Sequence, residues 1–281
     1  MSGIKFMTSA VLSLAISLAN PAIVSADEVD ATIRAELEHV SQRRIFFAHQ
    51  SVGENLIEGI RQLSATAGVP VHMVETPTAS GVPHATFGHT LIARNGEPFL
   101  KVENFEHALG SQPSGIDIAL VKLCFVDVNA DTDAKALFEY YRATITRLQA
   151  KNPGTTFVHV TLPLTSEQGG TKEFLKRVLG RGSSAQNARR EEYNSLLRNT
   201  YQGREPIFDL ARVESTAPDG TEVTVKWNGV FIPAMDPAYT SDGGHLNSAG
   251  KLRAARKFIS ILAAIPDRPV SHETGSLIHS K

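Results

Sequence analysis

Apolar residues come in two rhythms along this chain. Ile45-Phe46-Phe47-Ala48 is a short unbroken run, the pattern of a strand buried on both faces, whereas Leu56, Ile57 and Ile60 return at the spacing of one helix face. The same reading predicts strands at 44–48, 69–74, 117–124, 155–161 and 206–208. It predicts helices near 52–65, 103–110, 132–151, 185–201 and 248–264, after an amphipathic lead-in helix around Asp30 to Val40. Strand and helix in alternation imply a mostly parallel five-stranded sheet covered on both faces, a three-layer α/β/α sandwich. A flavodoxin-like strand order follows, with ligands at the carboxyl ends of the strands. Two glycine-rich stretches fit neither rhythm and read as long loops of the kind usually tied to function, Thr76 to Leu100 and Ser166 to Ser184. Thr221 to Ile232, where Val223, Val225 and Trp227 alternate with polar residues, reads as a hairpin arm. Trp227 there is a packing aromatic or a sugar-stacking platform.

Two junctions between these elements carry candidate chemistry. Ser51 stands where the first strand gives way to the first long helix, so it is either the helix N-cap or a nucleophile presented at a strand end. In the second role it would have helix N–H groups and the positive end of the helix dipole beside it. Far along the chain, Asp242-Gly243-Gly244-His245 precedes the last helical pattern. An Asp three residues before a His in a loosened turn is either a solvated turn or a carboxylate that orients an imidazole base.

A serine after the first strand and an Asp-x-x-His before the last helix together resemble the SGNH/GDSL hydrolase superfamily. Other blocks follow in the same order. The predicted strand at Ile116 to Cys124 leads into Phe125-Val126-Asp127-Val128-Asn129 at the place of the third block, and Arg190-Glu191-Glu192-Tyr193-Asn194 is similar to a late helix of such enzymes. Pro206 to Leu210 resembles the short last strand, so the likeness runs over most of residues 43 to 264. It implies a Ser51–His245–Asp242 triad acting on an ester through an acyl-enzyme. Two blocks depart from the pattern. His49-Gln50-Ser51 stands for Gly-Asp-Ser, and Cys124 and Val126 stand where the third block has its Gly and its oxyanion-hole Asn. The Ser51 N–H, Gly96 as second-block glycine, Asn95 and Asn129 are the remaining oxyanion candidates, with turn formation as the other role of both asparagines.

Composition fits an exported single-domain enzyme. Residues 1 to 26 carry a lone Lys5, an apolar stretch from Phe6 to Ala19 and the small-residue ending Val24-Ser25-Ala26, the form of a cleavable signal peptide. Removing those 26 of 281 residues leaves 255, expected as a hydrolase domain over 27–265 and a loose tail over 266–281. The apolar stretch is short for a membrane span, so a secreted or periplasmic location without an integral span is expected. The remaining net charge of −2 asks for neither nucleic acid nor an anionic membrane surface. Cys124 is the only cysteine, so no internal disulfide forms, and a buried small hydrophobe is its default role. Lys122 lies inside an apolar strand and needs a partner there, Asp127 or a carboxylate from a neighbouring strand.

Ten histidines, among them His49, His72, His84, His89 and His245, show no compact metal-ligand spacing, and neither metal nor cofactor is expected. The expected function is a secreted serine esterase acting on a carboxylic ester or an O-acetylated glycan, with small-molecule or glycan esters as partners. An O-acyltransferase and a non-catalytic glycan- or envelope-binding module on the same fold are the alternatives.

Overall fold

The computed structural model describes residues 26–110, 113–167, 169 and 179–267. The expected signal peptide falls, but for Ala26, outside these residues, as does the expected tail beyond Asp267. Helix α1 (Ala26–Ser41) leads into β1 (Ile45–His49), and α2 (Val52–Ala67) follows it. Next come β2 (Met73–Glu75), β3 (Phe87–Leu91), α3 (Pro98–Leu109), β4 (Ile118–Val121) and α4 (Ala134–Lys151). The last third holds β5 (Thr156–Phe157), β6 (His159–Val160), α5 (Ser183–Tyr201), β7 (Ile207–Phe208), α6 (Leu210–Ser215), the hairpin β8 (Thr224–Trp227) and β9 (Val230–Pro233), and α7 (Ser248–Ala263).

The central sheet is parallel throughout, in the order β2-β3-β1-β4-β5. Only Val158 separates β5 from β6, which pairs in parallel with β7, so the predicted strand 155–161 is one strand broken in the middle. Read from β3 through β1, β4 and β5/β6 to β7, the order is the flavodoxin-like one, with β2 added at the edge. The chain moves from β1 to one side of the sheet and then returns to β4 on the other. The crevice beyond the carboxyl end of β1 is therefore the topological switch point, where such folds bind ligands.

Side-chain alternation builds the three layers. Ile45 and Phe47 of β1 point into a core beneath α1, α2 and α7 with Leu56, Ile60 and Phe258, while Phe46 and Ala48 point into a second core beneath α3, α4 and α5 with Phe105, Leu137 and Tyr193. Each large apolar side chain buried this way stabilises the fold by about 1.5–3 kcal/mol. Helix α7 starts at Asn247, whose side chain accepts the Gly250 N–H.

Three elements differ from the sequence reading. The stretch 76–100, expected as a loop, contains the interior strand β3. Phe87-Gly88-His89-Thr90-Leu91 hides its strand character behind a glycine and two polar residues, and the close packing of Val82 requires that glycine: a Cβ at Gly88 would lie 2.2 Å from Val82 Cγ2. Helix α3 begins five residues earlier than expected, at Pro98, the first helical position where proline is tolerated. Helix α6 was not expected at all. It is capped by the Asp209 side chain, which accepts the Arg212 N–H. At the other end, Arg43 holds the start of the expected tail, contacting Asp267 and donating to the Pro266 carbonyl.

Candidate active site

Ser51 stands one residue beyond β1, after Gln50, at the switch point. Its backbone has φ 47° and ψ −99°, a region costly for a residue with a Cβ, by about 1–3 kcal/mol. The Ser51 carbonyl opens helix α2 by accepting the Glu54 N–H at 2.8 Å, but its side chain makes no cap bond. The hydroxyl is turned out of the helix, and its Oγ lies 2.8 Å from His245 Nε2.

His245 and Asp242 are held by a tight turn. Asp242 Oδ1 accepts the N–H groups of Gly244 (2.9 Å) and His245 (2.8 Å), and Oδ2 lies 2.6 Å from His245 Nδ1. A carboxylate only accepts, so Nδ1 carries the ring proton and the Nε2 lone pair faces the Ser51 hydroxyl. Partial burial pushes the Asp242 carboxyl up, but the bonds from the His245 N–H, the His245 ring and the Gly244 N–H outweigh it and hold the group well below the usual carboxylate range. The turn is anchored from three sides. Asn55 Oδ1 on α2 accepts the Leu246 N–H (3.0 Å), the Ser166 N–H donates to Gly243 O (2.9 Å), and the Phe125 ring meets the His245 ring edge-on at 5.4 Å. Phe125 also explains Gly244: a Cβ there would lie 2.7 Å from the phenyl ring. Nearly half of the His245 side chain and over half of that of Asp242 face solvent, so the site is open to water.

The oxyanion candidates separate. The Gly96 N–H, first among them after Ser51, donates to Asp127 Oδ1 at 2.8 Å, and this carboxylate rather than the Ser51 pocket is its partner. Asn129 closes a turn, its Oδ1 accepting the Asp131 N–H at 2.9 Å. Asn95 is exposed, and its Oδ1 accepts from Lys101 Nζ at 2.8 Å. Val126 has an exposed, apolar side chain.

Lys122 requires a correction. Asp127, one of the two partners expected for it, belongs to Lys101 of α3, whose Nζ lies 2.7 and 2.9 Å from the two carboxylate oxygens with both side chains fully buried. Asp127 also accepts the Cys124 N–H at 2.6 Å and has no capacity left. Lys122 Nζ donates instead to Leu123 O (3.2 Å) and reaches Cys124 Sγ at 3.5 Å, and its charge acts on the buried Glu214. Burial pushes the Glu214 carboxyl up to about 8, against the Leu164 N–H, Lys122 and Arg190. Cys124 is buried, as expected of a small hydrophobe.

His49 and His89 meet on adjacent strands, Nε2 to Nδ1 at 3.2 Å. With Glu54 they are the one group among the described residues with donor atoms near enough for a metal, all within 4.8 Å. The donor set does not fit one. A ring that binds metal through Nε2 carries its proton on Nδ1 and almost always donates it, and His49 Nδ1 is buried without a partner. Burial first, then His89 and Lys122, lower His49 to about 3, and burial lowers His89 despite Glu54. The two rings are a neutral hydrogen-bonded pair. A base with a folded-state value below its unfolded one stabilises the fold above about pH 6.5, and that contribution is lost as pH falls from there toward about 3. The limiting slope is about 1.4 kcal/mol per pH unit. Between about pH 6.5 and about pH 5 the parent's urea midpoint should fall relative to that of His49→Gln, which takes no proton there, the opposite contribution of Glu214 being common to both. An unchanged slope in the variant would place the acid sensitivity elsewhere.

Sequence patterns did not point to Phe125 or Lys101 as site residues. The resemblance did mark the Arg190 to Asn194 segment, and Arg190 holds the segment of Phe125, the ring that packs on His245. Its Nε donates to Phe125 O (2.9 Å) and Val128 O (3.2 Å), its Nη1 donates to Thr165 Oγ1 (3.0 Å), and the guanidinium lies 5.8 Å from the Phe125 ring centre. Its burial lowers it to about 10. A buried arginine amid glutamates looks like a solvated helix face until the fold is known.

Neither a family model nor a curated protein matches the sequence. Solved structures do match the fold. A protein from Streptococcus pneumonia provisionally named a platelet activating factor is 15% identical, with 84% of this chain and 94% of that one covered and a TM-score of 0.51. A GDSL-like lipase from Bacteroides thetaiotaomicron is 12% identical over 84% of this chain and 96% of its own, with a TM-score of 0.47. Phospholipase A1 from Streptomyces albidoflavus is 13% identical over 78% and 97%, with a TM-score of 0.38. The first likeness carries the fold, a mostly parallel α/β/α domain. At this identity the likeness extends to the fold alone.

Proposed function

We propose that this chain is an exported serine esterase in which Ser51 is the nucleophile, His245 the general base and acid, and Asp242 the group that orients the imidazole. The observation that carries the reading is the continuous hydrogen-bonded chain from Ser51 Oγ to His245 Nε2 (2.8 Å) and from His245 Nδ1 to Asp242 (2.6 Å), at the switch point of the sheet. Ser51 Oγ attacks the ester carbonyl carbon while its proton passes to His245 Nε2. The resulting imidazolium is stabilised by Asp242, and the proton is then given to the leaving alcohol as the C–O bond breaks. Water attacks the acyl-enzyme by the same route, its proton passing through His245 back to Ser51 Oγ. The solvent-facing His245 side chain favours water as the second acceptor.

Export rests on the signal-peptide form of residues 1–26. No helix among the described residues is long and apolar enough to cross a membrane. The test is covalent labelling of the mature chain by a fluorophosphonate with peptide mapping, alongside a panel of short-chain and long-chain acyl esters and acetylated glycans. Label on Ser51 and chelator-insensitive hydrolysis of at least one ester are expected. A chain that neither labels nor hydrolyses would be a binding module on this fold.

A further inference from the structure

We infer that the side-chain amide of Asn95, oriented by the buried Lys101–Asp127 pair, completes the oxyanion hole in place of a third-block donor. The inference rests on the esterase reading and names a catalytic residue within it. An acyl-transfer site needs donors aimed at the carbonyl oxygen as it becomes an oxyanion, and the Ser51 N–H supplies only one. Val126, at the position that would carry the second, has no donor on its side chain. The Gly96 N–H is bonded to Asp127, and Asn129 is held in a local turn with Asp131 and Thr132.

Asn95 differs from these in being seated against the buried ion pair. The atom of its amide that faces Lys101 must be the oxygen, because an ammonium has three donors and no acceptor. The amide orientation is thereby fixed, and the NH2 group is turned away from the buried ion pair, free to donate. Lys101 itself cannot swing, since it is fully buried and bonded to both oxygens of Asp127.

The loop that bears Asn95 is tied from both sides to Gln50, the residue before Ser51. Gln50, the residue before the nucleophile, donates through Nε2 to Ile92 O (3.2 Å) and Ala93 O (2.9 Å). On the far side, Gly96 is bonded to Asp127, whose other oxygen holds the Cys124 N–H, and Cys124 Sγ lies 3.5 Å from Gln50 O. Asn95 thus lies between two anchors that both lead back to Gln50. The hole is rebuilt from the loop between β3 and α3, and the ion pair is the device that holds its donor still.

The test is steady-state kinetics on the ester that the parent hydrolyses best, for Asn95→Ala and Asn95→Asp. Asn95→Ala should lower kcat about 10²–10³-fold with a KM within about threefold, since the donor acts on charge that develops only in the transition state. Asn95→Asp should fall at least as far, because its carboxylate donates nothing and repels the oxyanion. Asn95→Ala should lower the Tm modestly, since Lys101 Nζ loses an acceptor but keeps both Asp127 oxygens, whereas Asn95→Asp, which retains an acceptor there, should stay near the parent's Tm. As a second readout, in a crystal of the Ser51 phosphonate adduct, Asn95 Nδ2 should lie about 2.7–3.1 Å from the phosphoryl oxygen. If the parent turns over and Asn95→Ala keeps its kcat within about threefold, the hole is overturned and the esterase reading stands. If the parent neither turns over nor labels at Ser51, both fall together.

Discussion

Ser51→Ala and His245→Ala should each lower ester turnover by about 10⁴–10⁶-fold, and the double variant should be scarcely worse than either alone. The two side chains act as one unit: without the 2.8 Å partner, the imidazole has no hydroxyl to deprotonate and the hydroxyl has no base. Asp242→Asn should leave more activity than either. The amide still accepts the backbone N–H groups of Gly244 and His245, so the turn survives, but it no longer neutralises the imidazolium. Stability should separate these variants in a different order. Alanine at 51 keeps a Cβ in the φ 47° conformation, whereas Ser51→Gly removes that strain and should gain up to about 1 kcal/mol while being equally inactive. Turnover numbers on the best ester and urea unfolding of the parent and these five variants check both halves. A Ser51→Ala variant that kept the parent's turnover would require a different nucleophile.

The junctions that frame this site were legible because each obeys a local rule. An apolar run followed by helical spacing brackets Ser51, and an Asp-Gly-Gly-His turn before an Asn-capped helix brackets the base. What was not legible depends on competition for partners across the fold. Asp127 lies five residues from Lys122 in sequence, and pairing the two is the natural guess. Lys101, on the next helix layer, reaches the carboxylate first and leaves Lys122 to a carbonyl and a sulfur. Gly96 illustrates the same limit: its place in the chain suits an oxyanion donor, but its N–H is drawn to the carboxylate that Lys101 holds in place. Strand β3 escaped because Gly88 and His89 answer to Val82 and to His49, neighbours in space whose demands leave no periodic trace.

That same hub should give the largest single stability effect in the molecule. Lys101→Met should destabilise the fold by about 3–5 kcal/mol, because it leaves the Asp127 carboxylate buried with no counter-charge, only the N–H groups of Gly96 and Cys124. Asp127→Asn should cost a similar amount for the mirror reason, a buried ammonium without its carboxylate. Lys101→Met combined with Asp127→Asn should be much less destabilised than the two single losses added together, since no buried charge remains and the Asn oxygen can still accept one of the two N–H groups. Urea denaturation of the parent, both single variants and the double measures that coupling directly. Single losses below about 1 kcal/mol, or strict additivity, would mean that water reaches the pair and that its burial is not what fixes it. The double variant also isolates the catalytic consequence. In a folded protein without Lys101, nothing fixes the orientation of the Asn95 amide, so if that amide completes the oxyanion hole kcat should fall while KM stays near the parent's value.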